Sequence, residues 1–471
     1  MQKNKKSINQ VVKPRSWADH FLERHFTSNL FTYRQIFSML IPLILDQLFI
    51  NSISLLTTAM ISSSSQESVT AVSLVAPLST MLYALFSSIS VGGTIVIAQY
   101  MGRGNQDKIR ETTGQILLAS LVIAVFSCII LVMFSDTLIR IVFGAADPVV
   151  IKKASQYLIG VAISQIFLSV YLGAFAVFRG MGTAKICLRL TVIINLIHLL
   201  TSMLLLDVMG LDILGTALSL NIARLIGCVV AVFMLMKPNG ILRLRPGHIF
   251  RMDLPILKSI FRLGLPFTLE QLFFNGGSML VQTYIVQLGT ISTAANAITN
   301  SAFSVFYSAG LAVSTLASTV VGQCAGSGDK ALTRRYGEKM IWLGTVISIL
   351  SILIFFPFIP LLMKLYHAPQ ETLTLIYRLL IIAIIPMPFF WSMSNIMPNI
   401  LRSAGDSMFS SVVSLITMWI VRVGLGYVLS ISLGLGVPGV WICMGIEWGV
   451  RTIVFYLRYR SEAWLRKKAI G

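Results

Sequence analysis

Apolar runs of about twenty residues, each long enough to cross a hydrocarbon core of roughly 30 Å as a helix, recur between Gln35 and Leu457 with short polar breaks. The pattern predicts about twelve transmembrane helices, near residues 36–61, 68–99, 113–134, 155–178, 187–206, 213–236, 261–287, 294–322, 340–362, 373–400, 409–432 and 437–457. Polar positions inside these runs follow a pattern of their own. The first run contains IPLILDQLFIN (41–51) and the seventh LPFTLEQLFFN (265–275), so that an acid, Asp46 or Glu270, follows a proline by one helical turn in both.

The correspondence extends along the chain. An offset of 224 carries Pro266 onto Pro42, Glu270 onto Asp46, Gln271 onto Gln47, Asn275 onto Asn51, Gln323 onto Gln99, Gly326 onto Gly102 and Gly328 onto Gly104 without a gap. LRSAG (401–405) falls on FRGMG (178–182) with an offset of 223, one residue having been lost or gained between. The chain therefore reads as two halves of six spans. Because six is even, both halves insert with the same orientation and form parallel repeats about an axis along the membrane normal. The expected organisation is a cytoplasmic tail (1–35), an N-lobe (36–236), a cytoplasmic linker (237–260) rich in Pro, Gly and basic residues, a C-lobe (261–457) and a cytoplasmic tail (458–471).

At 100° per residue, Asp46, Gln47, Asn51, Ser54, Thr57 and Thr58 share one arc of about 140° on the first span. On the seventh, Glu270, Gln271, Asn275, Ser278 and Gln282 face away from a side of Phe, Leu and Met. Asp46 lies about ten residues, or roughly 15 Å, into its span and is expected close to the midplane. An aspartate there costs about 2.5–3.5 kcal/mol on insertion scales. Polar stripes can simply bond helix to helix, which accounts for the amides and hydroxyls. A neutral amide would do so at less cost than an acid, so the matched carboxylates are read as groups that bind a coupling ion or substrate. Gln47, Asn51, Ser54, Thr58, Gln271, Asn275, Ser278 and Gln282 are then candidate cavity residues. Phe274 and Tyr307 join them, since aromatic rings can hold flat cations, although ordinary ring packing accounts equally well for either one alone.

Composition places the chain among membrane proteins, with 56% hydrophobic residues, 12% charged residues and a mean hydropathy of +0.82. Its net charge of +19 would suggest nucleic acid in a soluble protein, but the basic residues sort by loop. Only Arg140, Lys152, Lys153, Lys364 and Arg378 fall on the side opposite the termini. By the positive-inside rule both termini are cytoplasmic, which requires an even number of spans. Residues 1–34 hold no signal-type apolar core; Trp17, Phe21, Leu22 and Arg24 suit a short interfacial helix instead.

Glu447 differs from the other two deep acids. Arg451 follows it at i+4 and Arg422 lies in the preceding span, which predicts a buried structural ion pair. His198 and Arg224 read as packing or partner residues. The five cysteines sit in or beside apolar runs, with no C-x-x-C and no histidine at metal spacing. MGRGNQDK (101–108) and AGSGDK (325–330) do not fit the phosphate-binding G-x-x-x-x-G-K-[ST] pattern and read as tight turns. No nucleophile and base recur at helical spacing. Neither enzymatic activity nor a cofactor is expected.

GVWICMGIEWGVRTIVFYLRYRSEAW at the C-terminal end, LRSAGD (401–406), LGTISTAANAI (288–298) and the Gln-x-x-Gly-x-Gly turns after spans 2 and 8 resemble the multidrug and toxic compound extrusion (MATE) family. The resemblance covers Phe31 to Trp464. It implies two six-helix lobes around a central cavity and exchange of H⁺ or Na⁺ for organic, usually cationic, compounds. Two departures accompany it. Thr58 stands where many members carry an aspartate late in the first span, and Thr183 where another follows the R-G-M-G turn. The resemblance then implies that Asp46 has taken over the N-lobe role, with Glu270 matching a glutamate found in a subset of relatives.

The expected protein is an all-α, monomeric transporter of the cytoplasmic membrane whose partners are lipid and a small organic substrate, not nucleic acid. Two other readings share parts of this pattern. A flippase of a lipid-linked precursor would have the same lobes but several cavity Arg or Lys for phosphates, whereas the deep basic residues legible here are chiefly Arg224 and Arg422. A channel or passive scaffold would need no matched acids.

Overall fold

The computed structural model describes residues 17–62, 66–143, 147–237, 240, 242–365, 370–467 and 470. Its helices run in the order α1 (Trp17–Phe26), α2 (Tyr33–Ser62), α3 (Gln66–Arg103), α4 (Gln106–Met133), α5 (Ser135–Phe143), α6 (Pro148–Gly180), α7 (Ala184–Ser202), α8 (Asp212–Met236), α9 (Pro246–Phe250), α10 (Leu254–Gln287), α11 (Thr290–Ser327), α12 (Lys330–Phe355), α13 (Ile359–Leu365), α14 (Gln370–Ile384), α15 (Ser392–Ser403), α16 (Ser407–Thr417) and α17 (Val437–Arg460). Ten segments are long and apolar enough to cross a membrane, and α14 and α15, bent by 48° at a short break, make an eleventh. The twelfth is α10, 34 residues long, whose hydropathy is lowered by Glu270, Gln271, Asn275 and Gln282. Large apolar side chains such as Phe126, Met133, Leu353, Ile420 and Leu457 point outward. Outside a bilayer such a surface would be untenable.

Parallel repetition is visible in matched elements. α3 and α11 are each 38 residues long, about 57 Å at 1.5 Å per residue, so both project well beyond a hydrocarbon core. Pro42 interrupts α2 and Pro266 interrupts α10, each one turn before its acid, where the missing N–H loosens the helix ladder. Asn105 caps α4 by accepting from the Lys108 amide, and Asp329 caps α12 by accepting from that of Leu332. Gly104 (φ 71°) and Gly328 (φ 82°) turn the chain into those caps through left-handed backbone. The Gln-x-x-Gly-x-Gly segments are thus turns, as their sequence suggests.

The same segments also join the halves. Gln99 Nε2 donates to the Ser403 carbonyl at 2.7 Å, and Gln323 Nε2 donates to the Gly180 carbonyl at 3.0 Å. One turn further on, a Cβ added to Gly102 would stand 1.9 Å from the Gln323 carbonyl oxygen, and one added to Gly326 would stand 2.0 Å from that of Gln99. Only glycine permits this approach. The halves are therefore clasped backbone to backbone at the end of the bundle that carries the basic loops.

π-helical turns at Met203–Val208, Met387–Trp391, Met418–Leu425 and Val428–Ser432 widen the fifth span of the first half and the fourth and fifth spans of the second. The turn at Met418–Leu425 carries Arg422 and directs it inward.

Candidate functional site

Above the clasp, the halves separate around a central cavity of about 430 Å³. Gln47 reaches it from α2, Tyr83, Ser90 and Thr94 from α3, Arg179 from α6, Glu270 and Gln271 from α10, Ser314 and Ser318 from α11, Asn395, Asn399 and Arg402 from α15, and Arg451 from α17. Each repeat pairs an acid with a cavity-lining arginine; Glu270 itself lines the cavity, whereas the buried Asp46 does not. Arg402, 3% exposed, is hydrogen-bonded through Nη2 to Glu270 Oε2, and its guanidinium lies over the Phe267 ring with 5.0 Å to the centroid. Arg179, the residue at the matching place in FRGMG, approaches Asp46 Oδ2 to 3.6 Å and stacks 4.4 Å from the Phe175 centroid.

The two pairs differ in tightness. Asp46 is completely buried, and among the described residues neither of its carboxylate oxygens accepts a hydrogen bond. Glu270 is held directly and also faces the cavity. Both arginines belong to the last turn of their helices, since α6 ends at Gly180 and α15 at Ser403. The arginines therefore approach their acids from the clasped end.

Glu447 forms the expected buried pair with both partners. Arg422 Nη2 donates to Oε2 at 2.6 Å, and Arg451 Nη1 donates to Oε1 at 3.3 Å. Arg451 also donates to Ser414 Oγ at 2.9 Å and to the Ser394 carbonyl at 3.3 Å. Arg451 lines the cavity as well.

Several sequence candidates do not reach this cavity. Asn51 Nδ2 donates to Ser308 Oγ at 2.7 Å, tying α2 to α11. Gln282 Oε1 accepts from Asn296 Nδ2 at 3.3 Å. Phe274 lies under the Arg422 guanidinium, 5.1 Å from its ring centroid, and Tyr307 packs on Trp391 with 5.2 Å between centroids. Asn275 and Ser278 are half-buried on α10 without lining the cavity. The bland helix-bonding account of the stripes thus holds for their outer ends, where the helices still touch. Ser54 and Thr58 have side chains outside the described residues.

Arg179 and Arg402 were missing from the sequence candidates, and Arg451 was expected there only as a partner of Glu447. Arg179 and Arg402 read as loop charges because each precedes a glycine turn. Their coincidence under the repeat offset was the available signal.

Twelve helices in two parallel six-helix repeats, with matched intramembrane ion pairs around a shared cavity, define a two-lobed membrane transporter. The MatE family profile matches twice, over residues 42–204 and 266–428, the two matches standing at the repeat offset of 224. This chain belongs to the MATE family of multidrug efflux transporters. Among its relatives are the "Uncharacterized transporter YisQ" of Bacillus subtilis, 25% identical over 87% of this chain and 90% of that protein, and a "Probable multidrug resistance protein NorM" of Thermotoga maritima, 23% identical over 81% and 82%. Two solved structures share the fold. One is an outward-facing multidrug resistance MATE transporter, with a TM-score of 0.84 at 19% identity over 91% of this chain and 95% of that one. The other is a MOP superfamily transporter from Pyrococcus furiosus described as having a binding pocket of reverse polarity, with a TM-score of 0.83 at 20% identity over 92% and 96%.

Proposed function

We propose that this protein is a monomeric secondary-active antiporter of the cytoplasmic membrane that exports organic cations in exchange for H⁺ or Na⁺. Both termini are cytoplasmic in this reading, and the central cavity opens alternately to the two faces. The observation that carries it is the matched acid–arginine pair in each lobe.

A carboxylate held by an arginine restricts which cargo can be exchanged. A coupling ion on one carboxylate and an organic cation on the other repel each other electrostatically, so loading one favours release of the other. An anionic cargo would bind the arginine instead, most readily once a proton had neutralised the acid. Proton and cargo would then travel together. Exchange therefore goes with cationic cargo, and the arginine serves as an internal counter-ion between cycles. We assign the coupling ion to Asp46, whose oxygens carry no hydrogen bond, and the cargo to Glu270, which faces the cavity beside Gln271.

The flippase reading gains one observation, because Arg179, Arg402 and Arg451 line the cavity; the basic groups there are more numerous than the sequence suggested. Each already faces a carboxylate, which leaves it poorly placed to hold a phosphate. Antiport remains the better-supported function.

Everted vesicles test it, with a proton or a sodium gradient imposed separately and uptake of a fluorescent organic cation followed. Uptake driven by one gradient and abolished by its collapse is expected. Electrogenic flux without counter-transport would reject antiport in favour of a channel.

A further inference from the structure

A cavity of about 340 Å³ lies between α1 and α12, and none of its lining residues faces the central one. Its walls are His25 and Phe26 at the end of α1 and Arg335, Glu338, Lys339 and Trp342 on α12. α1 is fastened there by the Tyr336 hydroxyl, which donates to the Phe26 carbonyl at 2.8 Å, and by the Phe26 ring, 6.2 Å from that of Trp342.

The cations of this cavity outnumber its acid. Glu338 is engaged by Arg334, whose Nε donates to Oε1 at 3.2 Å. Among the described residues neither Arg335 nor Lys339 forms an ion pair. Lys339 Nζ is buried and donates to no acceptor among them; it lies against ring faces, 4.6 Å from the Tyr336 centroid and 5.7 Å from that of Phe26. Rings attract an ammonium but leave its three N–H donors without acceptors, and buried donors without partners are rare.

The order of side chains along α12 says what supplies the acceptor. At 100° per residue, Arg335, Lys339, Trp342, Val346, Ile349 and Leu353 share an arc of about 80°. From the basic-loop end, two cations are followed by a half-exposed indole and then by an apolar strip in which Ile349 and Leu353 are exposed. Cation, interfacial tryptophan and lipid-facing strip match the phosphate, glycerol and acyl chain of a phospholipid in turn. Inorganic phosphate would use the cations and leave the strip idle. A zwitterionic lipid would bring its own cation to a site that is already positive.

We propose that the cavity between α1 and α12 binds the phosphodiester of an acidic phospholipid on Arg335 and Lys339, with an acyl chain lying along Trp342, Val346, Ile349 and Leu353.

The test uses the purified full chain in detergent at constant ionic strength, with phosphatidylglycerol, phosphatidylcholine and inorganic phosphate titrated as separate arms and thermal unfolding followed. A saturable rise in Tm is expected with phosphatidylglycerol alone. The double variant Arg335→Gln with Lys339→Gln should lose it, whereas Lys258→Gln, which alters a cation of α10 outside the cavity, should keep it. Should the double variant not fold, brominated phosphatidylglycerol provides the second measurement, with saturable quenching of tryptophan fluorescence expected in the wild type and most of it lost in Trp342→Phe. No rise with phosphatidylglycerol, an equal rise with phosphatidylcholine or inorganic phosphate, an unchanged response in the double variant, its loss in Lys258→Gln, or undiminished quenching in Trp342→Phe would overturn the proposal.

Discussion

Arg402 is hydrogen-bonded to Glu270, whereas its counterpart Arg179 stops 3.6 Å from Asp46. Two symmetry-related ion pairs thus differ in whether the acid is already satisfied. This asymmetry separates the roles assigned to them.

Asp46→Asn and Glu270→Gln should both fold, since amides preserve volume and hydrogen-bonding capacity. Asp46→Asn is expected to keep cargo binding but lose gradient-driven uptake. Glu270→Gln should instead weaken cargo binding by roughly tenfold, about 1.4 kcal/mol. Ligand titration of purified variants alongside vesicle transport checks both, and wild-type coupling in Asp46→Asn would return that acid to a helix contact.

Arg402→Met leaves Glu270 buried without its partner, at a cost of about 3–5 kcal/mol. The double variant with Glu270→Gln removes the stranded charge and should recover most of the lost stability. Thermal unfolding of the two single variants and the double gives the coupling energy. Additive losses would mean that the pair contributes nothing.

Glu447→Gln strands two arginines at once. The expected result is a loss of about 3–5 kcal/mol, read as a lower Tm and less folded protein in the membrane. An unchanged Tm would show that Arg422 and Arg451 find other partners.

Gly326→Ala places a methyl group against the Gln99 carbonyl and should part the halves at the clasped end. A cysteine introduced at Ser318, on the cavity wall, is then expected to become several-fold more reactive toward a reagent added on the side of the basic loops. Unaltered labelling would mean that the helices shift to absorb the methyl group.

Cysteines at Gly247, in the linker helix α9, and at Val208, between α7 and α8, should react from opposite sides of the membrane in a background lacking the native cysteines. Labelling of both from outside intact cells would refute the proposed orientation of the termini.

The span pattern and the repeat were legible because apolar length and a fixed offset survive in one sequence. Spans 10 and 11 were expected as single helices; a 48° break divides the one, and π-turns widen the other. Neither feature changes hydropathy, so periodicity alone does not reveal it. At the site, the acids stood out because a carboxylate within an apolar run is conspicuous. Their arginines did not, since Arg179 and Arg402 sit where a span ends and a basic residue is ordinary. The outer stripe residues Asn51 and Gln282 were legible as polar but not as partners of Ser308 and Asn296, because a helical wheel gives direction without the neighbour.

The clasp formed by Gly102, Gly326, Gln99 and Gln323 contains no formal charge. A membrane potential of 100 mV acts on a displaced elementary charge with about 2.3 kcal/mol, yet neutral backbone in van der Waals contact offers that field nothing to pull on. The shut end should therefore stay ion-tight at any physiological voltage, and any electrical sensitivity of turnover must originate in the arginines and carboxylates above it.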